Sequence, residues 1–225
     1  MKDIQLAVFD MAGTTVNEDN VVYKTVQKAL ANAGLETTLE IVLEFGAGKE
    51  KFNAIKDIIN EIAPESKFNA DEIHADFKNL LKEAYANLEV SPYEGVVELF
   101  ETLKDNHVKV VLNTGYDAKT AQSLVDKLKW KVGEEIDALI TADDVEVGRP
   151  SSEMIDKAME QFDISDSDKV LKAGDSIIDI EEGKNANCGI TVGVLTGAHT
   201  REQLEKANPT LILESLEELG KILFP

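Results

Sequence analysis

The chain has 225 residues, 43% of them hydrophobic, enough for one full α/β domain with a small insert and too apolar for a disordered chain. Its 43 Asp and Glu against 23 Lys and Arg leave a formal net charge of −20, a field that repels nucleic-acid backbones and anionic membrane surfaces. No apolar run approaches the length of a membrane span, and the short run after Met1-Lys2-Asp3 stops at Asp10, unlike a secretory leader. A single cysteine, Cys188, reads as a buried free thiol. These features predict a cytoplasmic protein that binds neither nucleic acid nor membrane.

Leu6-Ala-Val-Phe9 is a continuous apolar run cut off by Asp10, as expected of a strand buried on both faces. From about Val16 to Leu88 the pattern becomes helical, over Val22 to Ala33, Thr38 to Leu43, Glu50 to Ile62 and Ala70 to Asn87. Val22, Val26, Ala29, Leu30 and Ala33 mark one buried face of the first of these. The chain rejoins the alternating pattern near Ser91-Pro92. A helix over Val96 to Lys104 then precedes a strand at Val108 to Leu112, and a helix over Ala118 to Leu128 precedes one at Ala138 to Thr141. Helices at Glu153 to Phe162, Ile177 to Ala186 and Arg201 to Lys206 flank strands at Val170 to Ala173 and Thr191 to Val194. Thr210 to Leu213 adds a strand, and Ser215 to Leu223 a last helix. The alternation predicts an α/β fold, a Rossmann-like doubly wound parallel sheet with an inserted α-helical cap. Residues 1–15 and 91–225 form the core domain in this reading, and residues 16–90 the cap.

In open parallel sheets the ligand site lies beyond the carboxyl ends of the strands. Three strands deliver polar groups there: Asp10, then Asn113-Thr114-Gly115, then Gly174-Asp175-Ser176 with Asp179. Each group alone is ordinary, since Asp caps helices and Gly makes turns. Their joint occurrence carries the information. Because the net charge opposes an anionic substrate, a phosphate site here needs its own positive potential from a metal, a Lys or Arg, and backbone N–H groups.

Asp10-Met-Ala-Gly-Thr-Thr15, Leu112-Asn-Thr-Gly-Tyr116, Gly148-Arg-Pro150 and Gly174-Asp-Ser-Ile-Ile-Asp179 resemble, in order and spacing, the four motifs of the haloacid dehalogenase superfamily. The resemblance implies a Mg²⁺-dependent hydrolase in which the Asp10 carboxylate attacks phosphorus and forms an aspartyl-phosphate. It assigns as Mg²⁺ ligands the Asp10 carboxylate, the Ala12 carbonyl and the Asp175 carboxylate, with Asp179 holding the metal's waters. It also implies that the Thr114 hydroxyl and Gly115 N–H bind the phosphoryl oxygens, and that Arg149 neutralises nucleophile and phosphoryl group.

Two departures narrow the resemblance. Ala12 stands where most phosphatases of the superfamily keep an Asp as general acid, and Arg149 where most have Lys. Both features, with Thr114-Gly-Tyr116, Asp143-Asp-Val145 and Thr191-Val-Gly-Val194, are similar to the phosphonatase subgroup, the phosphonoacetaldehyde hydrolases. In that subgroup a cap lysine forms a Schiff base with the substrate aldehyde, and the enamine that leaves needs no protonated oxygen. Phe45-Gly-Ala-Gly-Lys49 places Lys49 where that lysine is expected, while Phe45 and Phe52 replace the subgroup's Met and His. Lys49 therefore has three readings: the Schiff-base lysine, a cation gripping a phosphate ester, or a solvated side chain. Neighbouring Lys51 favours a neutral amine there, and Glu44 and Glu50 oppose it.

The expected function is thus phosphonatase-like hydrolysis of a small organophosphorus metabolite. A phosphatase of a small ester with a good leaving group, a weakly catalytic binding protein on the same fold and a metal-free dehalogenase are the alternatives. The partner in the leading reading is a small-molecule phosphonate or phosphate. A homodimer is implied by the resemblance alone.

Overall fold

The computed structural model describes residues 3–86 and 88–225. Met1, Lys2 and Asn87, the last of these the predicted end of the fourth cap helix, lie outside the described residues. In chain order the elements are β1 (Leu6–Asp10), β2 (Val16–Asn17), α1 (Val21–Asn32), α2 (Leu39–Gly46), α3 (Lys51–Ile62), α4 (Ala70–Ala86) and β3 (Ser91–Pro92). There follow α5 (Val96–Asp105), β4 (Lys109–Asn113), α6 (Ala118–Lys127), β5 (Ala138–Ile140), α7 (Glu153–Gln161) and β6 (Val170–Gly174). The chain ends with α8 (Ile177–Asn185), β7 (Ile190–Val194), α9 (Arg201–Lys206), β8 (Leu211–Leu213) and α10 (Glu217–Leu223).

Six strands form a parallel sheet in the order β5-β4-β1-β6-β7-β8. β1 lies between β4 and β6, and every one of its residues is buried, which is why its sequence is unbroken apolar up to the last position. Alternate side chains of β1 feed two cores. Leu6 and Val8 pack with Met154, Ile155 and Ala158 of α7, while Ala7 and Phe9 join a larger core that includes Phe100, Leu103 and Trp130. The rings of Phe9 and Phe100 lie 5.4 Å apart, and those of Phe100 and Trp130 5.4 Å.

The helical insert packs α1 against α4 and α2 against α3. Its apolar stripes are Val22, Val26, Ala29 and Leu30 from α1, Ile55, Ile58 and Ile59 from α3, and Ile73, Phe77 and Leu81 from α4. Ala33, expected on the buried face, is exposed. The helix stops one residue earlier, and Gly34 in the left-handed region (φ 91°) turns the chain so that Leu35 is buried instead. Where the chain leaves the core and where it returns, β2 and β3 pair antiparallel, Val16 with Pro92 and Asn17 with Ser91. That two-residue ladder was not foreseen, because neither segment is long enough to show alternation.

One further boundary and one burial differ from expectation. The strand predicted to Thr141 ends at Ile140, because Thr141 caps a short 3₁₀ turn over Ala142–Asp144. There the Asp144 carboxylate accepts from the Thr141 backbone N–H (2.9 Å) and hydroxyl (2.8 Å). Cys188 is partly rather than fully buried, and its surroundings push the thiol up to about 12. Among the described residues no helix is long and apolar enough to cross a membrane.

Phe100 holds the sheet-to-helix core through both ring contacts. Phe100→Ala should destabilise the protein by about 3–5 kcal/mol, read as a lower urea midpoint with an unchanged slope.

Candidate active site

The parallel register brings the strand ends level: Asp10 pairs with Asn113, and Phe9 with Ala173, one residue before Gly174. Asp10 therefore sits beside the turn that carries Asp175, and the first turn of α8 adds Asp179. One carboxylate oxygen from each of Asp10, Asp175 and Asp179 lies within 4.8 Å of the others, and all three residues are buried.

Like charges this close and this dry repel. Burial raises the pKa of Asp10, with Arg149 opposing; burial raises Asp175 further, helped by Asp10 and Asp179. Asp179 is the exception: Lys172 and Arg149 outweigh its burial and hold it below the usual carboxylate range. The Arg149 side chain, 3% exposed, donates from one nitrogen to Asp10 Oδ1 and Asp179 Oδ1, both at 2.7 Å. Asp175 accepts from the Thr14 hydroxyl (3.2 Å) and the Ala198 N–H (2.6 Å). Gly13, at φ 84°, presses its backbone against it: a Cβ there would stand 2.5 Å from Asp175 Oδ2. Only glycine combines that conformation with that approach.

Beneath the triad lies a fully buried cation. Lys172 Nζ meets Asn113 Oδ1 (2.6 Å), Glu182 Oε2 (3.0 Å) and Asp179 Oδ1 (3.1 Å). Asn113 closes the ring by donating to Glu182 Oε1 (2.7 Å). Burial opposes the charge on Lys172, yet Glu182 and Asp179 raise its pKa above the ordinary value. A buried amine is tolerable here because carboxylates compensate it.

The other predicted residues divide. Thr114 is buried at the end of β4, its hydroxyl accepting from the Tyr116 N–H (3.2 Å). Gly115 faces the carbonyls of Gly48 and Lys49 and the Arg149 guanidinium. Ala12 is buried two residues beyond Asp10. Lys49 is not gathered in: its Nζ pairs with Asp57 Oδ2 at 2.6 Å, on a side chain 30% exposed.

Lys51 is the residue that sequence reasoning passed over. It is buried at the start of α3, with its Nζ donating to the Lys49 carbonyl (2.6 Å) and lying over the rings of Tyr23 (4.9 Å) and Tyr116 (5.3 Å). Burial, then the Arg149 charge, lowers its pKa to about 8, against the pull of Asp10 and Glu50. The signal was present in the sequence: Lys51 lies four and seven positions before Ile55 and Ile58, on the buried stripe of α3. The loop that carries these lysines touches the core. The Gly48 N–H donates to the Tyr23 hydroxyl (3.2 Å), and a Cβ on Gly48 (φ 75°) would stand 2.6 Å from Ser176 Oγ.

A buried acidic triad, two of its carboxylates bridged by one arginine, at the carboxyl edge of a parallel sheet and beneath a helical insert, is the site of a hydrolase. The chain belongs to the haloacid dehalogenase-like hydrolases, whose family pattern matches residues 7–194. Among known proteins it is 30% identical over 239 residues to phosphonoacetaldehyde hydrolase of Parabacteroides distasonis, covering 98% of this chain and 87% of that one. It is 28% identical to phosphonoacetaldehyde hydrolase of Bacillus cereus, covering 95% and 86%. In fold it is similar to the crystal structure of a phosphonoacetaldehyde hydrolase like protein from Oleispira antarctica, with TM-score 0.83, 21% identity, and 99% and 92% of the chains covered. It is equally similar to a hydrolase from Pseudomonas syringae, with TM-score 0.83, 21% identity and 97% of each chain covered.

Lys172→Met should destabilise the protein by about 3–5 kcal/mol, because it leaves buried carboxylates without their cation. Adding Glu182→Gln should restore part of that loss, which chemical denaturation of the single and double variants will show.

Proposed function

We propose that this hydrolase is a Mg²⁺-dependent, phosphonatase-like enzyme that cleaves the C–P bond of phosphonoacetaldehyde or a closely related organophosphorus aldehyde. The observation that carries the reading is the pairing of a buried carboxylate site with a buried, easily deprotonated cap lysine and an alanine at position 12. The similarity to two phosphonoacetaldehyde hydrolases supports it.

The donor set fits a hard divalent cation: three buried carboxylates, two of them, Asp10 and Asp175, pushed toward protonation by burial and by neighbouring carboxylates. Asp10 and Asp175 would hold Mg²⁺ with the Ala12 carbonyl, and Asp179 would hold its waters. When bound, the ion screens the meeting of nucleophile and phosphoryl anion. Arg149 holds the Asp10 carboxylate in place and offers positive charge to the phosphoryl oxygens, beside the Thr114 hydroxyl and the Gly115 N–H.

On the carbon side, a neutral lysine amine adds to the aldehyde and, with one proton taken up from solvent, expels water to leave a protonated imine. The C–P bond then breaks with phosphorus passing to an Asp10 oxygen, and the bonding pair flows into the imine to give an enamine. Protonation and hydrolysis return the amine and release acetaldehyde; water cleaves the aspartyl-phosphate. An enamine departs without a proton on oxygen, so position 12 needs no acid. Lys51 is favoured for the amine by its burial and lowered pKa, and Lys49 by its place in the motif. The two stand two residues apart in one loop-to-helix junction.

Asp10→Asn should abolish turnover, by several orders of magnitude, while leaving the melting temperature within a few degrees of the parent. Parent turnover should require Mg²⁺ and vanish with a chelator; near-normal rates in purified variant protein would remove Asp10 from the role.

Borohydride added during incubation with phosphonoacetaldehyde should trap a covalent adduct, and peptide mass spectrometry should place it on Lys51. Trapping should rise with pH through a midpoint near 8, since the amine must be neutral and its pKa is lowered to about 8. An adduct on Lys49 would move the role back to that residue. No adduct, with brisk hydrolysis of a phosphate ester, would favour the phosphatase reading.

A further inference from the structure

Beside the phosphoryl site, a cavity of about 750 Å³ opens between α4 and α6. Gly115, Tyr116 and Lys51 line it as well as the catalytic cleft, so the two spaces adjoin. Its floor is apolar and phenolic: Val22, Phe77, Leu81, Tyr85 and Tyr116. The Tyr85 and Tyr116 hydroxyls are buried and interact with each other, with no other hydrogen-bond partner among the described residues. Tyr116 as a whole is 5% exposed.

The rim is cationic, in a protein of net charge −20. Lys78 and Lys82 stand one turn apart on α4, and Lys119 and Lys127 face them from α6. Among the described residues none of these four forms an ion pair; Lys127 donates to the Leu88 carbonyl. Three acids also line the space, and each carboxylate is bound to backbone N–H groups. Glu50 caps α3, Asp117 caps α6, and Asp143 accepts from the Ala118 N–H. Like charges spaced one helical turn apart destabilise a helix slightly. The two lysines therefore gain nothing from each other, whereas an anionic ligand would gain from both.

We propose that this cavity receives the carbon arm of the substrate, and that the arm ends in a carboxylate. The proposal rests on the organophosphorus-hydrolase reading above and extends it: the natural substrate is longer than a two-carbon aldehyde. The phosphoryl group lies at the strand ends, the arm passes Lys51 and Gly115, its apolar middle rests on the phenols, and its terminal anion meets the α4 lysines. The two tyrosine hydroxyls, which have only each other as partners, supply further hydrogen bonds to polar atoms along the arm.

The test is a matched pair of non-hydrolysable probes in the presence of Mg²⁺, benzylphosphonate and 4-(phosphonomethyl)benzoate, which differ only by the terminal carboxylate. Exposed charge pairs contribute about 0.2–1 kcal/mol each, so two or three of them should tighten calorimetric binding of the carboxylated probe about tenfold. In the double variant Lys78→Gln, Lys82→Gln that preference should shrink to about twofold, with affinity for benzylphosphonate and hydrolysis of acetyl phosphate unchanged. Equal binding of the two probes by the parent protein would overturn the proposal while acetyl phosphate hydrolysis kept the hydrolase reading intact. Hydrolysis of acetyl phosphate without binding of either probe would overturn it too. If neither acetyl phosphate nor phosphonoacetaldehyde is hydrolysed and neither probe binds, the hydrolase reading fails and the proposal with it.

Discussion

Three carboxylates held within 4.8 Å of one another in a dry cleft set the terms for everything around them. In a chain with 43 acidic and 23 basic residues, bulk electrostatics offers no help, so compensation must be built locally. Arg149 spans Asp10 and Asp179 from one side, and Lys172 reaches Asp179 from below. Among the described residues Asp175 has no such cation, and it relies on the Thr14 hydroxyl and the Ala198 N–H. That leaves the side of Asp10 and Asp175 short of positive charge, which is where a divalent ion would complete the balance. The layered arrangement also fixes geometry: Arg149 cannot shift without abandoning two carboxylates at once.

The insert contributes chemistry of another kind. Tyr23 and Tyr116 present ring faces to Lys51, which tolerates a charged amine poorly hydrated but does not pair it. Such surroundings keep an amine near the boundary between protonated and neutral, as nucleophilic lysines require. Lys49, by contrast, is pinned to Asp57 and partly solvated. Two residues of sequence separate a side chain in the cleft from one outside it, because the intervening Glu50 starts a helix and redirects the chain.

How much of this was legible in the sequence depends on what each residue does. The sheet strands were legible because strands covered on both faces read as uninterrupted apolar runs, and Asp10 and Asp175 stand out where such runs stop. Lys172 was hidden for the opposite reason: it occurs inside a run, Val170-Leu-Lys-Ala173, where one polar residue looks like an edge or an exposed position. Its partners Asn113 and Glu182 come from another strand and a helix, 59 residues before it and, for the pair that they form, 69 residues apart, a convergence that only the register creates. Lys51 was overlooked because a motif drew attention to Lys49, although helical spacing put Lys51 with Ile55 and Ile58. Ala33 failed in the other direction, since periodicity continued past the point where Gly34 turned the chain. The α4–α6 cavity needs a helix of the insert and a helix beside the sheet to lie next to one another, and nothing in either segment alone announces it.

The paired two-residue strands β2 and β3 carry a mechanical meaning. A lid tethered to its base by two separate strings can slide, tip and twist; one whose strings are knotted side by side can only swing about the knot. Val16-Asn17 and Ser91-Pro92 are that knot. A swing about it would move the attachment least, so Thr14 and Thr15, next to the pivot, would keep their places. The halves of the site would then have unequal roles: a still floor that keeps its carboxylates in register, and an insert whose approach to that floor the knot restricts.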